Sequence, residues 1–291
     1  MPNTIALAKN YISLLDEVYR LASVTADLTS DPKLSKAGAN ANEIIYPQIT
    51  VSGLGDYDRN SGYTTGAVDL KWKTATFNYD RGTKITVDVM DNEESRNLAF
   101  GMAGAELMRE KAAPEADAFT FATIAAFDNI SKTTGVISNA SQFLDALLTA
   151  WSKMDNDEVP QEGRMLYATA TLLNSVMSLD TTKSREILNK FSFKKPVPQA
   201  RFYTAIDLMD GKTPGEELGH YKKAEGADDI DFMIIHKPAI IKFDKHVASN
   251  IIPASSNPDA DADIVKYRKY GIVDGYVNKR AGIYMHSHTA N

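Results

Sequence analysis

Apolar residues near the amino terminus recur at alternating spacings of three and four: Ile5, Ala8, Ile12, Leu15, Tyr19 and Ala22 form one row, and Tyr11, Leu14, Val18 and Leu21 a second. This period predicts a helix over residues 4–22, begun by Thr4 as N-cap, with two rows that each need a packing surface. From Ser23 to Asn42 the pattern gives way to Ala, Thr, Ser, Asp, Lys, Gly and Asn with Pro32, which predicts an extended arm or linker.

A different rhythm follows. Ile44 to Val51 predicts a strand, and residues 53–66, GLGDYDRNSGYTTG, place four glycines among polar and tyrosine residues and predict a tip. Val68, Leu70 and Trp72 then alternate with Asp69, Lys71 and Lys73 as a return strand. Farther on, Phe77, Tyr79, Ile85, Val87 and Val89 occupy odd positions, so the side-chain phase flips between Trp72 and Phe77. A bulge or bend allows such a flip, and it marks the expected border between a projecting hairpin and the body. Strands of about eight to ten residues reach roughly 25 to 33 Å. A lone two-stranded hairpin is marginal in water, and ordering about 35 residues costs on the order of 35 to 70 kcal/mol of backbone entropy. The hairpin needs a platform, and another subunit is the expected one.

Asp91 and Glu94 have the spacing of a capping box, which predicts a helix start there. Leu98, Met102, Ala105 and Met108 continue the helical period, and Gly101 and Gly104 suggest close approach of another backbone. Pro114 either kinks this helix or starts a second one through PEADAFTFATIAAF, the two together forming a spine. Beyond Gly135 the pattern is mixed. It predicts a helix from Ser141 through Trp151, a buried strand from Arg164 to Ala170 and a short helix from Thr171 to Leu179. Thr181 to Arg201 reads as a basic, loop-rich stretch. Phe232 to Phe243, with Pro238, reads as two short buried strands joined by a turn, and Ile264 to His288 as strand material split at Asp274 and Gly275.

With 43% hydrophobic and 24% charged residues over 291 positions, the chain can bury one large core or two modest ones. A net charge of -6 supplies no global basic field, so any contact with DNA is expected to be non-specific. Cysteine is absent, which excludes disulfides, thiolate metal sites and cysteine nucleophiles. Lys9, Asp16, Glu17 and Arg20 interrupt the first apolar pattern, so no signal peptide is expected, and no window approaches the roughly 18 apolar residues of a membrane span.

Candidate chemistry is sparse. Asp259, Asp261 and Asp263 open like a calcium loop, but Ile264 and Tyr270 stand where glycine and glutamate are required. His286 and His288 share a face if they lie on a strand, yet no carboxylate or third histidine adjoins them in sequence. His220, His236 and His246 flank no nucleophile motif, and the tip glycines match neither GxxxxGK nor GxGxxG. No catalytic, cofactor or metal residues are expected. Charges and aromatics on a projecting hairpin instead suit register against a partner, which makes Asp56, Tyr57, Asp58, Arg59, Tyr63, Lys71, Trp72, Lys73 and Arg81 the candidate subunit-interface residues.

Three blocks in order, GLGDYDRNSGY with its return strand, DRGTKITVDVMDNEE running on to PEADAFTFA, and NPDADADIVKYRKYGIVDGYVNKRAGIYMHSH, resemble the major capsid proteins of tailed bacteriophages, the Hong Kong type. The resemblance implies an α+β capsid fold. Its parts would be an N-terminal arm (1–43), an extended loop (44–79), a peripheral domain with a spine helix (80–135) and an axial domain (136–291) that returns some strands to the peripheral one. It also implies a subunit that forms hexamers and pentamers closing into an icosahedral shell around double-stranded DNA bound without sequence specificity. Such a protein would be assembled in a host cytoplasm and end in the virion capsid, without cofactor or membrane. No long coiled-coil prosequence precedes the arm, which implies a separate scaffolding protein or a mature form, and a portal is a further expected partner. An encapsulin-like compartment shell is the alternative. A soluble hydrolase with a deep polar pocket, or a ring-forming tail or adaptor protein, would be readings of other classes.

Overall fold

The computed structural model describes residues 18–19, 21–30, 36–37, 43–94, 98–179 and 181–289. The helix expected over 4–22 lies outside the described residues except at its end, where 18–19 and 21–22 are helical. Strands β1 (Lys36–Ala37), β2 (Glu43–Val51), β3 (Val68–Thr76) and β4 (Tyr79–Asp88) come first. Helices α1 (Val89–Glu94), α2 (Leu98–Glu106) and α3 (Ala113–Ala125) follow, the last two joined by a π-helical turn at Leu107–Ala112. Then come β5 (Ser131–Thr134), α4 (Ala140–Asn156), β6 (Arg164–Thr169), α5 (Ala170–Leu179), α6 (Thr182–Asn189) and β7 (Phe193–Val197). Short strands β8 (Ile206–Leu208) and β9 (Tyr221–Lys223) lead to β10 (Asp229–His236), β11 (Ile240–Ile252), β12 (Ala262–Gly275) and β13 (Ile283–His288).

The centre is a five-stranded sheet in the order β5-β13-β10-β6-β7. Its strands bury both faces, which is why β6 and β10 are apolar without alternation. Met165, Tyr167, Met233 and Ile235 point to one side, where α3 supplies Phe121 and Ile124. Leu166, Ala168, Phe232 and Ile234 point to the other, against Phe143, Leu147 and Trp151 of α4 and Leu173 of α5. A second sheet, β11-β12-β4, is antiparallel throughout, and a third, β1-β2-β3, carries the hairpin.

Helix α3 is buried at every position but Phe119 and Thr123, its two acids Glu115 and Asp117 included, so both carboxylates need partners inside the chain. Pro114 sits in its first turn, where a missing N–H costs little, and the π turn ahead of it absorbs the displaced carbonyl. The spine is therefore continuous across the proline. Its entry differs from the capping box expected at Asp91: helix α1 already starts at Val89, and Asp88 Oδ1 accepts the Met90 N–H at 2.9 Å.

Two further expectations are corrected. The stretch Thr181 to Arg201 is not loop-rich: α6 is closed by a capping box in which Thr181 and Ser184 bond each other's backbone N–H groups, and Ile187 and Leu188 face the core. Pro196 fits inside β7 because that strand lies at the sheet edge. The two strands around Pro238 are not a pair of short neighbours either. β10 belongs to the central sheet, whereas β11 runs 13 residues into the second, and Pro238 lies in the 3-10 turn Lys237–Ala239 between them.

Candidate assembly surfaces

β2 and β3 pair from Glu43↔Thr76 to Val51↔Val68, so opposite residues share a face. One face of the base, Ile44, Tyr46 and Ala75, is buried against Ile241, Phe243 and Ile272 of the second sheet. The opposite face carries Pro47 beside Trp72, Ile49 beside Leu70 and Val51 beside Val68. No described residue covers this apolar ladder at its outer end, where Val51 is 64% exposed, Val68 71% and Leu70 51%. The face above the base is polar, with Thr50 beside Asp69 and Gln48 beside Lys71.

The phase flip read in the sequence falls inside β3, where Val68, Leu70 and Trp72 lie on one face of the ribbon and Ala75 on the other, buried one. The pairing there runs on without the expected bulge, and the chain changes sheet just after it, at Phe77 and Asn78 between β3 and β4. Asn78 spans the junction: its Nδ2 donates to the Val273 carbonyl at 2.8 Å, and its Oδ1 accepts the Val273 N–H at 3.0 Å. The side-chain amide thus mimics one more residue of strand pairing beyond Tyr79↔Gly271. The tip is closed by the Asp58↔Gly62 bridge, with Gly62 at φ +80°, a conformation that favours glycine. Tyr57 and Tyr63 meet edge to face at 4.9 Å there.

The nine candidate interface residues divide in the structure. Asp56, Tyr57, Asp58, Arg59 and Tyr63 are all at the tip, and Tyr63 is almost fully exposed. Asp58 turns one oxygen inward to accept the Asn60 N–H at 2.6 Å. Lys71 pairs with Asp69 on its own strand at 2.5 Å, Lys73 is exposed on the polar face, and Trp72 belongs to the ladder.

Arg81 stands apart from the other eight, because its charge is used inside the chain. Its Nε and Nη2 bind Glu115 at 2.6 and 3.1 Å, and Nη2 also donates to the carbonyls of Met209 and His220 at 2.8 and 3.3 Å. Burial pushes the Glu115 carboxyl up, but His220 with Nδ1 at 3.8 Å, Arg81 and the Tyr79 hydroxyl outweigh it and hold it below its ordinary value. This cluster floors a cleft of about 410 Å³ between β4, the spine and residues 209–220. Every oxygen of Glu115 is committed, so the cluster ties that loop to the body instead of offering a free acid or base.

Two polar clusters were not foreseen. Asp231, at a bulge in β10, accepts from Nδ1 of both His286 and His288 at 2.8 Å, which supplies the carboxylate that neighbouring sequence did not. Among the described residues no group of three side chains is arranged to hold a metal ion. Asp263 accepts the Ala254 N–H at 2.9 Å and braces the loop before β12.

Asp117 of α3 is the second. It is fully buried and receives Ser23 Oγ at 2.7 Å, the Val24 N–H at 2.8 Å, the Thr25 N–H at 3.0 Å and Thr25 Oγ1 at 2.7 Å. Lys242 of β11, also buried, donates to the carbonyl and hydroxyl oxygens of Thr25 at 2.9 and 2.6 Å. Burial, with Lys269 nearby, brings the Lys242 ammonium down to about 8. Residues 23–30 of the expected arm are therefore docked on their own body. The local signal was an acid or a lysine within an apolar run, Asp117 in PEADAF of α3 and Lys242 among Ile240, Ile241 and Phe243.

No family model matches the chain, and no curated protein matches it significantly. Solved structures do. The capsid of cyanophage P-SCSP1u superposes with a TM-score of 0.59 over 93% of this chain and 89% of that one, at 10% identity. The mature capsid of bacteriophage PhiM1 does so at 0.59 over 86% and 83%, at 13% identity. The chain has the phage capsid fold. A virus-like particle from Pyrococcus furiosus shares this capsid fold at 0.59 over 96% and 99%, with 9% identity. At such identities the likeness lies in the path of the chain, α+β throughout, with individual contacts free to differ.

Proposed function

We propose that this chain is the major capsid protein of a tailed phage, a structural subunit that assembles through hexamers and pentamers into an icosahedral shell enclosing double-stranded DNA. The observation that carries the reading is the uncovered apolar ladder on the hairpin. A ribbon anchored, among the described residues, at its base, with Ile49, Val51, Val68 and Leu70 largely exposed, is a surface made for a partner. Covering these half-exposed side chains gains about 1 to 2 kcal/mol each, weak singly and large when summed over a closed lattice. The peripheral part comprises the hairpin, the second sheet and the spine; the axial part is the central sheet with α4, α5 and α6. A scaffolding protein and a portal complete the set of partners, and the virion is the final location.

Electron microscopy of the purified protein, alone and with its scaffolding partner, tests this. Closed shells support it; monomers under every condition that assembles related capsids reject it. The full-length match to an archaeal virus-like particle favours a second reading, a compartment shell without a genome. Nucleic acid in particles recovered from the native source separates the two.

A further inference from the structure

We infer that the body of this protein carries a discrete peptide-binding site, built by α3, β7, β11 and the 3-10 turn Gln199–Arg201, and that residues 21–30 are its separable ligand. The site recognises by its backbone a short segment that leaves a helix at Ala22, bends at Val24 and Thr25 and turns through the 3-10 helix Ala26–Leu28. Asp117 takes two successive N–H groups and two hydroxyls. Arg201 Nη1 bridges Asp117 and the Ala22 carbonyl at 3.1 and 2.9 Å. Lys242 takes the Thr25 carbonyl, and Lys195 reaches Asp27 at 2.8 Å. Ser30 closes the far end by joining the β11 edge, its N–H donating to the Lys242 carbonyl at 2.9 Å.

Three stretches distant in sequence, α3, the run from β7 through Gln199–Arg201, and β11, thus converge on one strip of ten residues, and each receptor group reaches the strip, with Arg201 also pairing with Asp117. Val24 and Leu28 add two apolar anchors against the α3 side of the core. Acceptors and donors alternate along the strip in the way a peptide groove presents them: a carboxylate for the N–H groups, cations for the carbonyls. A segment that was merely part of the core would be held by side-chain packing. Here the backbone of Ala22 to Thr25 is held by hydrogen bonds as well, and the demand on side chains falls on Ser23, Thr25, Asp27 and the two anchors Val24 and Leu28. The chemical class of ligand is an acidic Ser-x-Thr-x-Asp peptide that bends and then takes one 3-10 turn, supplied in this structure by the chain itself.

The test uses the full-length protein and a fluorescent peptide of sequence LASVTADLTS. The double variant Val24→Pro with Leu28→Asp removes one donor and one apolar anchor from the resident segment and should leave the site empty. We expect saturable binding of the peptide to this variant by fluorescence anisotropy. Affinity should be at least tenfold above that for the wild type, whose own segment competes, and for the triple variant that adds Asp117→Ala. Circular dichroism and a cooperative thermal transition show whether the body has kept its fold. Loss of that transition in the double variant would make residues 21–30 an inseparable part of the core and overturn the inference. So would a folded variant that does not distinguish the peptide from a scrambled one. Neither outcome depends on whether particles form.

Discussion

At the scale of single residues, the buried charges decide more than the exposed ones. Glu115 is held by Arg81 and flanked by Tyr79 and His220, so Arg81→Met should leave a buried carboxylate without its cation. Breaking a buried pair in this way costs about 3 to 5 kcal/mol, read as a shift in the urea midpoint. Because the folded value of Glu115 lies below its ordinary value, its stabilisation is present above about pH 4.5 and is lost as pH falls through the lower folded value. The stability gap between wild type and Glu115→Gln should therefore narrow below that pH.

Lys242 shifts in the same direction for the opposite reason, because burial disfavours its charged form instead of its partners favouring it. Its folded value of about 8 lies below the ordinary 10.5, so the unfolded chain binds the extra proton between them, and the wild type should gain stability relative to Lys242→Met as pH rises from 8 to 10.5. The full gain is roughly 3 kcal/mol, measured by denaturant titration across that range. These groups were the least legible in sequence. Asp117 and Lys242 meet through Thr25, about a hundred and two hundred residues away from it, and no local spacing encodes such a meeting.

At the scale of elements, most strands and helices could be read from periodicity, since each turns one stripe or alternate side chains to a core. The hairpin is the clearest case: its change of phase marks the place in β3 where burial passes to the Ala75 face, against the second sheet, shortly before the chain changes sheet at Phe77 and Asn78. What could not be read was α6, whose lysine, arginine and serine content hides a two-residue apolar contact, Ile187 and Leu188. Asn78→Ala should cost about 1 to 3 kcal/mol by leaving the Val273 N–H and carbonyl without partners, measured by thermal unfolding. By contrast Leu70→Glu, on the uncovered ladder, should shift monomer stability by less than about 0.5 kcal/mol. In the proposed shell the same substitution should abolish closed particles by electron microscopy. Deleting residues 54–66 should likewise leave a folded body that no longer closes.

At the scale of the whole molecule, one sheet with two buried faces holds the mass of the chain, while a second sheet serves as a bench for the spine, the hairpin base and residues 23–30. The hairpin rests on that bench through few residues, so in the monomer amide exchange should be fast from Pro47 to Leu70 and slow in β6 and β10. In assembled particles the hairpin amides should slow by at least a hundredfold while the central strands stay unchanged, measured by hydrogen exchange and mass spectrometry. The order of sheets along the chain followed from alternation, but their stacking did not, because β10 and β11 look alike in sequence and part company only at Pro238.

The hairpin also has a right and a wrong side. Its greasy surface and its wet surface are back to back, so a neighbour can grip it only one way up. A copy inserted upside down would press Asp69 and Lys71 where hydrocarbon is wanted, and would fall away. In the proposed shell, orientation within a growing sheet of subunits would thus be proofread by each ribbon, before curvature or closure is at stake.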